Sequence, residues 1–338
     1  MVVLISSIRS TAWKASNRYY KAGALRPRFL FYPWKVCQTG TGPILTHFPR
    51  YDCMTMKISE IIKKTIDIFS RAGIPDPETD AYELLDFVKG IGKRELLLDP
   101  DITFSEEEAV RFYSLMADRA RRIPLQHITG RAFLYGREFF VNGNVLVPRF
   151  DTEILVEEAL KVITPESRVL DICTGSGCII TALDVGTDNL EGIHNFKEGF
   201  ATDISEAALS VARKNADRYK ADNITFVQGD LFANIQGRFD VIVSNPPYIR
   251  SDDIEGLAPE VSRFDPLIAL DGGDDGLVFY RRIIKRAPCF LNDGGYIFLE
   301  IGYDQGEAVE ALLKTEGFSL VTVIKDYGGN DRVVSAKM

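Results

Sequence analysis

Apolar positions first recur in order from Lys57. Ile58, Ile61, Ile62, Ile66 and Phe69 follow helical spacing, and Gly73 stops the run. A second helix follows Pro77, with Ala81, Leu84, Leu85 and Val88 on one face and Gly90 at its end. A short piece covers Lys93 to Leu98. Ser105 with Glu108 forms a capping box that opens a helix running to about Arg122. These pieces predict a small helical domain over residues 54–123, packed as a bundle with its charges in water.

Between Pro124 and Pro148 the period changes. Ala132–Tyr135 and Arg137–Val141 read as two short strands, and Asn142-Gly143 is a turn signal, so residues 124–150 are expected to form a β-hairpin linker. Asp151 starts a helix with Ile154, Leu155, Ala159, Leu160 and Val162 on its apolar side. From there strands and helices alternate. Strands are predicted at Arg168–Ile172, Gly199–Thr202, Ile224–Gln228, Asp240–Ser244 and Tyr296–Ile301. Helices are predicted from Cys178, over Ser205–Arg218, over Gly276–Pro288 and after Gln305. Ser319–Ile324 and Val333–Ala336 close the chain as an antiparallel edge. Such alternation predicts a doubly wound, mostly parallel α/β sheet over residues 151–338.

Composition narrows the class. Hydrophobic residues make up 46% and charged residues 26% of 338, which excludes wholesale disorder. No run approaches the ~18 apolar residues of a membrane span, so no membrane partner is expected. Five cysteines spread over this length form no disulfide framework, and His47, His127 and His194 make no zinc cluster, so no metal is expected. The net charge of −8 is unevenly spread. Residues 1–51 hold eight basic side chains and no acid, which leaves 32 basic against 48 acidic groups in the remainder. An acidic body repels phosphates and argues against direct nucleic-acid binding. The basic segment, residues 1–53, is expected to be disordered. It reads as an extension ahead of a start at Met54 or Met56, as an organelle transit peptide, or as a functional arm.

The chemistry sits at the predicted C-terminal strand ends, the ligand-binding edge of an open α/β sheet. Asp171-Ile172-Cys173-Thr174-Gly175-Ser176-Gly177 turns the first strand into a helix, where small residues and free N–H groups admit a ligand closely. Asp203 ends the second strand, where a carboxylate can accept both ribose hydroxyls. Asp230 and Leu231 follow the third, placed to meet an adenine amino group and cover its ring. A dinucleotide loop requires a third glycine that this loop lacks, so a single nucleoside is favoured over NAD.

Ser244-Asn245-Pro246-Pro247-Tyr248 follows the fourth strand. Two prolines stiffen the turn. Asn245 and the Pro246 carbonyl then offer two acceptors to a planar –NH2 group, and Tyr248 offers a face for stacking.

That motif resembles the one in methyltransferases acting on –NH2 groups. Adding Pro124-Leu125-Gln126-His127-Ile128-Thr129-Gly130 and Val147-Pro148-Arg149-Phe150-Asp151-Thr152-Glu153, in this order, makes residues 57–338 similar to the HemK/PrmC family of protein-(glutamine-N5) methyltransferases. The resemblance implies a Rossmann-like class I methyltransferase fold with a mostly parallel seven-stranded sheet, plus the N-terminal helical domain joined by the hairpin. It implies S-adenosylmethionine as donor and the Gly-Gly-Gln glutamine of a class 1 peptide chain release factor as acceptor. The expected state is a monomer in a bacterial-type cytoplasm, or in mitochondria if residues 1–53 are a transit peptide.

By position, the resemblance assigns Asp171, Cys173, Thr174, Gly175, Ser176, Gly177, Asp203, Asp230, Leu231 and Asn245 to the cofactor. It assigns Asn245, Pro246, Pro247 and Tyr248, with Arg149 and Glu153 at the mouth, to the acceptor; Asn245, Pro246 and Tyr248 are the catalytic set. Asp151 joins the mouth in this picture, or merely caps its helix. Phe150 stands where the family usually has proline and Cys173 where many members have glycine. The spacing from Gly177 to Asp203 is longer than expected, so the polar stretch Asp184–Glu198 reads as a surface insertion. Two other functions compete: an adenine or guanine amino methyltransferase, opposed by the acidic body, and a non-catalytic cofactor-binding scaffold, opposed by the intact Asn245–Tyr248 motif.

Overall fold

The computed structural model describes residues 56–186 and 194–338, together with the backbone of an antiparallel strand pair at Cys37–Gln38 and Pro43–Ile44. The chain divides into two units, Met1–Thr55 and Met56–Met338. The expectations for residues 1–53 otherwise lie outside the described residues.

The second unit begins with four helices, α1 (Ile58–Arg71), α2 (Pro77–Lys89), α3 (Lys93–Leu98) and α4 (Glu106–Ala120). Their apolar faces converge, burying Ile58, Ile61, Phe69, Leu84, Leu85, Phe112 and Met116. The capping box opens α4 as read: Ser105 Oγ accepts from the Glu108 N–H at 3.3 Å, and Glu108 Oε2 accepts from the Ser105 N–H at 2.8 Å. Gly90 ends α2 at φ 70°, a conformation open to glycine at little cost.

A short helix that the sequence did not announce, α5 (Leu125–Thr129), leads into the hairpin strands β1 (Arg131–Leu134) and β2 (Arg137–Phe140). The hairpin turns at Tyr135-Gly136, with φ of 50° and 70°, as a two-residue loop requires. Asn142-Gly143 is not that turn: the Asn142 carboxamide accepts from the Asn144 N–H at 2.9 Å in a separate turn after β2.

Helix α6 (Glu153–Leu160), preceded by a 3₁₀ turn over Phe150–Thr152, enters the α/β domain. Strands β3 (Arg168–Ile172), β4 (Glu198–Asp203), β5 (Ile224–Gln228), β6 (Phe239–Ser244) and β7 (Leu291–Glu300) run parallel. Strands β8 (Ser319–Lys325) and β9 (Asp331–Lys337) complete a seven-stranded sheet of order β8-β9-β7-β6-β3-β4-β5. The closing pair forms an antiparallel edge of the sheet. Strand β9 lies between β7 and β8, antiparallel to both, which makes β8 the edge.

Side chains alternate across the sheet. Val169 of β3 joins one core with α6 and α7 (Cys178–Val185), while Leu170 and Ile172 join the opposite core with α10 (Val278–Arg286) and α11 (Gly306–Thr315). Helix α8 (Glu206–Tyr219) packs beside α7 and β2. Between β6 and α10 the chain makes a 3₁₀ turn, the short α9 (Pro259–Phe264) and a second turn at Leu267–Ala269.

Within the expected surface insertion, residues 187–193 lie outside the described residues. Its start is not on the surface. Asp184 is fully buried, meets His194 Nδ1 at 2.7 Å and accepts from Asn223 Nδ2 at 2.9 Å, because a buried carboxylate needs such partners.

Candidate active site

The parallel order brings the ends of β3, β4, β5 and β6 to one crevice, at the point where the chain crosses from one side of the sheet to the other. Cys173, Thr174, Gly175 and Ser176 line it from the β3–α7 loop. Asp203 lines it after β4, Asp230 and Leu231 after β5, and Asn245 and Pro247 after β6. Arg149 lines it from the linker.

The β3–α7 loop is tightly folded. Cys173, Gly175 and Gly177 have φ of 62°, 55° and 72°. A side chain on Gly177 would put Cβ 2.8 Å from that of Ala212, so close packing of α7 on α8 requires the glycine. A side chain on Gly175 would meet nothing within 4 Å, so this backbone faces open space.

Asp203 holds the loop. Its Oδ2 accepts from the Gly175 N–H at 2.9 Å and its Oδ1 from the Ser205 N–H at 2.9 Å. Each carboxylate oxygen has a further lone pair for a ligand. Burial raises its pKa against those two N–H donors.

The turn after β6 is braced from behind. Ser244 Oγ donates to the Ile172 carbonyl at 2.6 Å, joining the ends of β6 and β3. Gln305 Nε2 donates to the Tyr248 carbonyl at 2.9 Å. Gly272 and Gly276 lie so close that a Cβ on either would fall 2.8 Å or less from Tyr248 backbone. The Asn245 carboxamide keeps no partner among the described residues.

Six predicted site residues do not line the crevice. Asp171 is fully buried under the loop, where its Oδ2 accepts from Thr174 Oγ1 at 2.6 Å. Burial pushes its carboxyl up to about 7, against the Thr174 hydrogen bond. Gly177 lies below the loop on Ala212. Pro246 is buried in the turn. The Tyr248 hydroxyl points away, 3.3 Å from Glu300 Oε1. Glu153 is spent on the hairpin, its Oε1 accepting from the Tyr135 N–H at 2.7 Å. Asp151 pairs with Arg332 at 3.3 Å rather than facing a ligand.

Other lining residues escaped sequence reading. Arg282 and Phe279 come from α10, and Arg282 Nη2 meets Asp230 Oδ2 at 2.6 Å. The Asp230 carboxylate therefore carries a cation. Pro266, Ile268 and Ala269 form a lip after α9. They lie far along the chain from the end of β6, and short 3₁₀ turns leave no periodicity.

Residues 149–259, which supply most of the crevice lining, match the family described as methyltransferase small domain, and residues 60–130 match the PrmC N-terminal domain. Fold and site thus define a methyltransferase. The release factor glutamine methyltransferases of Geobacter sulfurreducens and Cereibacter sphaeroides are 38% and 39% identical, matching 83% and 84% of this chain and 96% and 99% of theirs. A solved protein-(glutamine-N5) methyltransferase (release factor-specific) from Alicyclobacillus acidocaldarius is 30% identical, matching 59% of this chain and 98% of that one with a TM-score of 0.35. The chain belongs to the release factor glutamine methyltransferase family.

Proposed function

We propose that this enzyme transfers the methyl group of S-adenosylmethionine to the side-chain amide nitrogen, N5, of the Gly-Gly-Gln glutamine in class 1 release factors. One observation carries the reading. The Asn245–Pro247 turn opens on the same crevice as the glycine loop, with β6 and β3 tied by the Ser244–Ile172 hydrogen bond.

The crevice suits the donor. Open space beside Gly175, the Asp203 carboxylate and the apolar Leu231 and Phe279 match a nucleoside with a charged tail. When bound, the donor supplies a methyl carbon activated by a sulfonium. An amide nitrogen is a poor nucleophile, because its lone pair is delocalised into the carbonyl. The chain's own work is placement. Asn245 accepts one N–H of the acceptor amide at the crevice, and the main-chain carbonyl of Pro246, a residue otherwise buried in the turn, accepts the other. These bonds strengthen as the nitrogen pyramidalises, so they favour the transition state over the ground state. The proton leaves to water after transfer.

Residues 54–123, as a helical domain, hold the release factor, and residues 124–150 set that domain against residues 151–338. The protein acts as a monomer, without metal or direct nucleic-acid contact, in the compartment that contains its release factor. The reading is tested by incubating the enzyme with labelled S-adenosylmethionine and rival acceptors: a purified release factor, DNA and RNA. Mass spectrometry should find one added methyl on the Gly-Gly-Gln peptide; label on nucleic acid alone would overturn the reading.

A further inference from the structure

Three polar side chains meet where the linker, the crevice mouth and the end of α9 converge. Asp265 caps the C-terminal end of α9, and its side chain is 1% exposed. Its Oδ2 accepts from Arg149 Nη2 at 3.2 Å, while its Oδ1 has no hydrogen-bond partner. His127, buried on α5, places Nε2 3.7 Å from that orphan oxygen, and Nε2 is also unpartnered. The gap exceeds a hydrogen bond. Burial lowers the pKa of His127, with Arg149 adding to the effect, and Arg149 is the cation within hydrogen-bond distance of Asp265. Burial pushes the Asp265 carboxyl up to about 6, with Arg149 and the Val147 N–H opposing.

The position of this cluster gives it consequence. Pro266, directly after Asp265, and Ile268 line the crevice together with Arg149. The other end of α9 is held by the helical domain, where Arg119 and Arg122 meet Glu260 at 2.9 and 2.5 Å. Arg149 itself is 46% exposed. An arginine on a surface samples many rotamers, and fixing one by a buried carboxylate removes that loss from the binding step.

We propose that Asp265 is a positioning residue for methyl transfer: it fixes Arg149 at the mouth, where the guanidinium donates to backbone carbonyls of the incoming acceptor peptide. The statement rests on the release factor as acceptor. Arg149→Ala, Asp265→Asn and the double variant are assayed with a purified class 1 release factor. Each single variant should raise KM for the release factor by ~10-fold or more, the scale of a lost charge-assisted contact, with kcat little changed. The double variant should be no worse than Arg149→Ala. S-adenosylhomocysteine affinity, read by calorimetry, should stay at the wild-type value and show that each variant is folded.

Losses that multiply in the double variant, an unchanged KM in Asp265→Asn, or a loss confined to S-adenosylhomocysteine affinity would each overturn the proposal. Asp265→Glu keeps the charge and should recover part of the KM loss. A second readout needs no acceptor. An arginine-selective dicarbonyl should label Arg149 several-fold faster in Asp265→Asn than in wild type, measured by peptide mass spectrometry; equal rates overturn the anchor. Wild-type enzyme that leaves the release factor unmethylated would sink the acceptor assignment, while the labelling result still decides whether Asp265 holds Arg149.

Discussion

Asn215 donates its side-chain amide to the carbonyl of Ser176 at 2.9 Å, from a fully buried position on α8. The same carboxamide accepts from the Phe140 N–H at 2.7 Å and donates to the Phe140 carbonyl at 2.9 Å. One side chain therefore clips the end of the hairpin to the glycine loop. Asn215→Leu removes all three bonds and leaves three backbone groups to find water. At about 1 kcal/mol each, the loss should be roughly 3 kcal/mol, read by urea denaturation. S-adenosylhomocysteine affinity should fall with it, because the loop loses its lateral tie. An unchanged affinity in a folded Asn215→Leu protein would show that the loop holds its shape without the clip.

Gly177 and Cys173 occupy the same loop with φ of 72° and 62°, yet substitutions there should differ in outcome. Gly177→Ala adds left-handed strain and a Cβ 2.8 Å from that of Ala212. Together these should cost about 2–4 kcal/mol. Cys173→Gly relieves the same strain but gives up a side chain packed on the core and adds freedom to the unfolded chain. These terms offset, so its stability should lie within about 1 kcal/mol of wild type. Denaturation of the two variants side by side checks the contrast, and equal losses would refute it.

Elements with a local signature were legible in the sequence. The Ile58–Phe69 stripe, the Ser105–Glu108 box and the short apolar runs of β3 to β6 each depend on spacing within one segment, and each appears at its expected place. The glycine loop and Asn245 were legible for a related reason: topology alone carries consecutive parallel strand ends to one edge. What was not legible depends on contacts between distant segments. Asn215 reads as an ordinary polar position on an amphipathic helix, and nothing nearby announces Phe140 or Ser176 as partners. Tyr248 reads as a stacking face, but Glu300, which turns its hydroxyl inward, comes from the far end of β7. Asp265 and Arg282 sit in segments whose only pattern is tertiary.

Glu300 predicts a pH dependence of stability. It is 1% exposed, and burial pushes its carboxyl from 4.5 up to about 7, partly offset by Thr152, Arg332 and Tyr248. A carboxyl with a raised folded pKa binds its proton more tightly in the native state. Its favourable contribution is full below the unfolded value near 4.5 and is lost as pH rises through about 7. Glu300→Gln removes the ionisation. It should stabilise the protein at pH 8 by up to about 3 kcal/mol relative to wild type, with the advantage shrinking towards pH 5. Thermal or urea unfolding across this range reads the difference, and an offset that does not change with pH would contradict the assignment. Asp171, raised to about 7 by the same burial, adds the same trend to both proteins and cancels in the comparison.

Asn245 and Asp203 line one crevice, but their substitutions should separate chemistry from binding. The Asn245 side chain has no partner among the described residues, so Asn245→Ala disturbs nothing in the resting protein. It removes one of two acceptors for the amide hydrogens, and turnover should fall by ~100-fold or more, the scale of one preorganised polar contact. S-adenosylhomocysteine affinity should stay within ~3-fold, because the proposed nucleoside contacts lie at other strand ends. Asp203 already accepts from Gly175 and Ser205, so Asp203→Ala loses the loop restraint along with the proposed ribose contact. Its affinity for S-adenosylhomocysteine should drop by more than ~10-fold, the cost of one charge-assisted hydrogen bond or more, while turnover at saturating donor falls less. Asp203→Asn offers one oxygen and one N–H donor, and the donor would face either Gly175 or Ser205, both of which present N–H groups. It should therefore rescue little. Calorimetry paired with saturating-donor kinetics distinguishes the two residues, and near-normal turnover in Asn245→Ala would remove the Asn245–Tyr248 turn from the reaction.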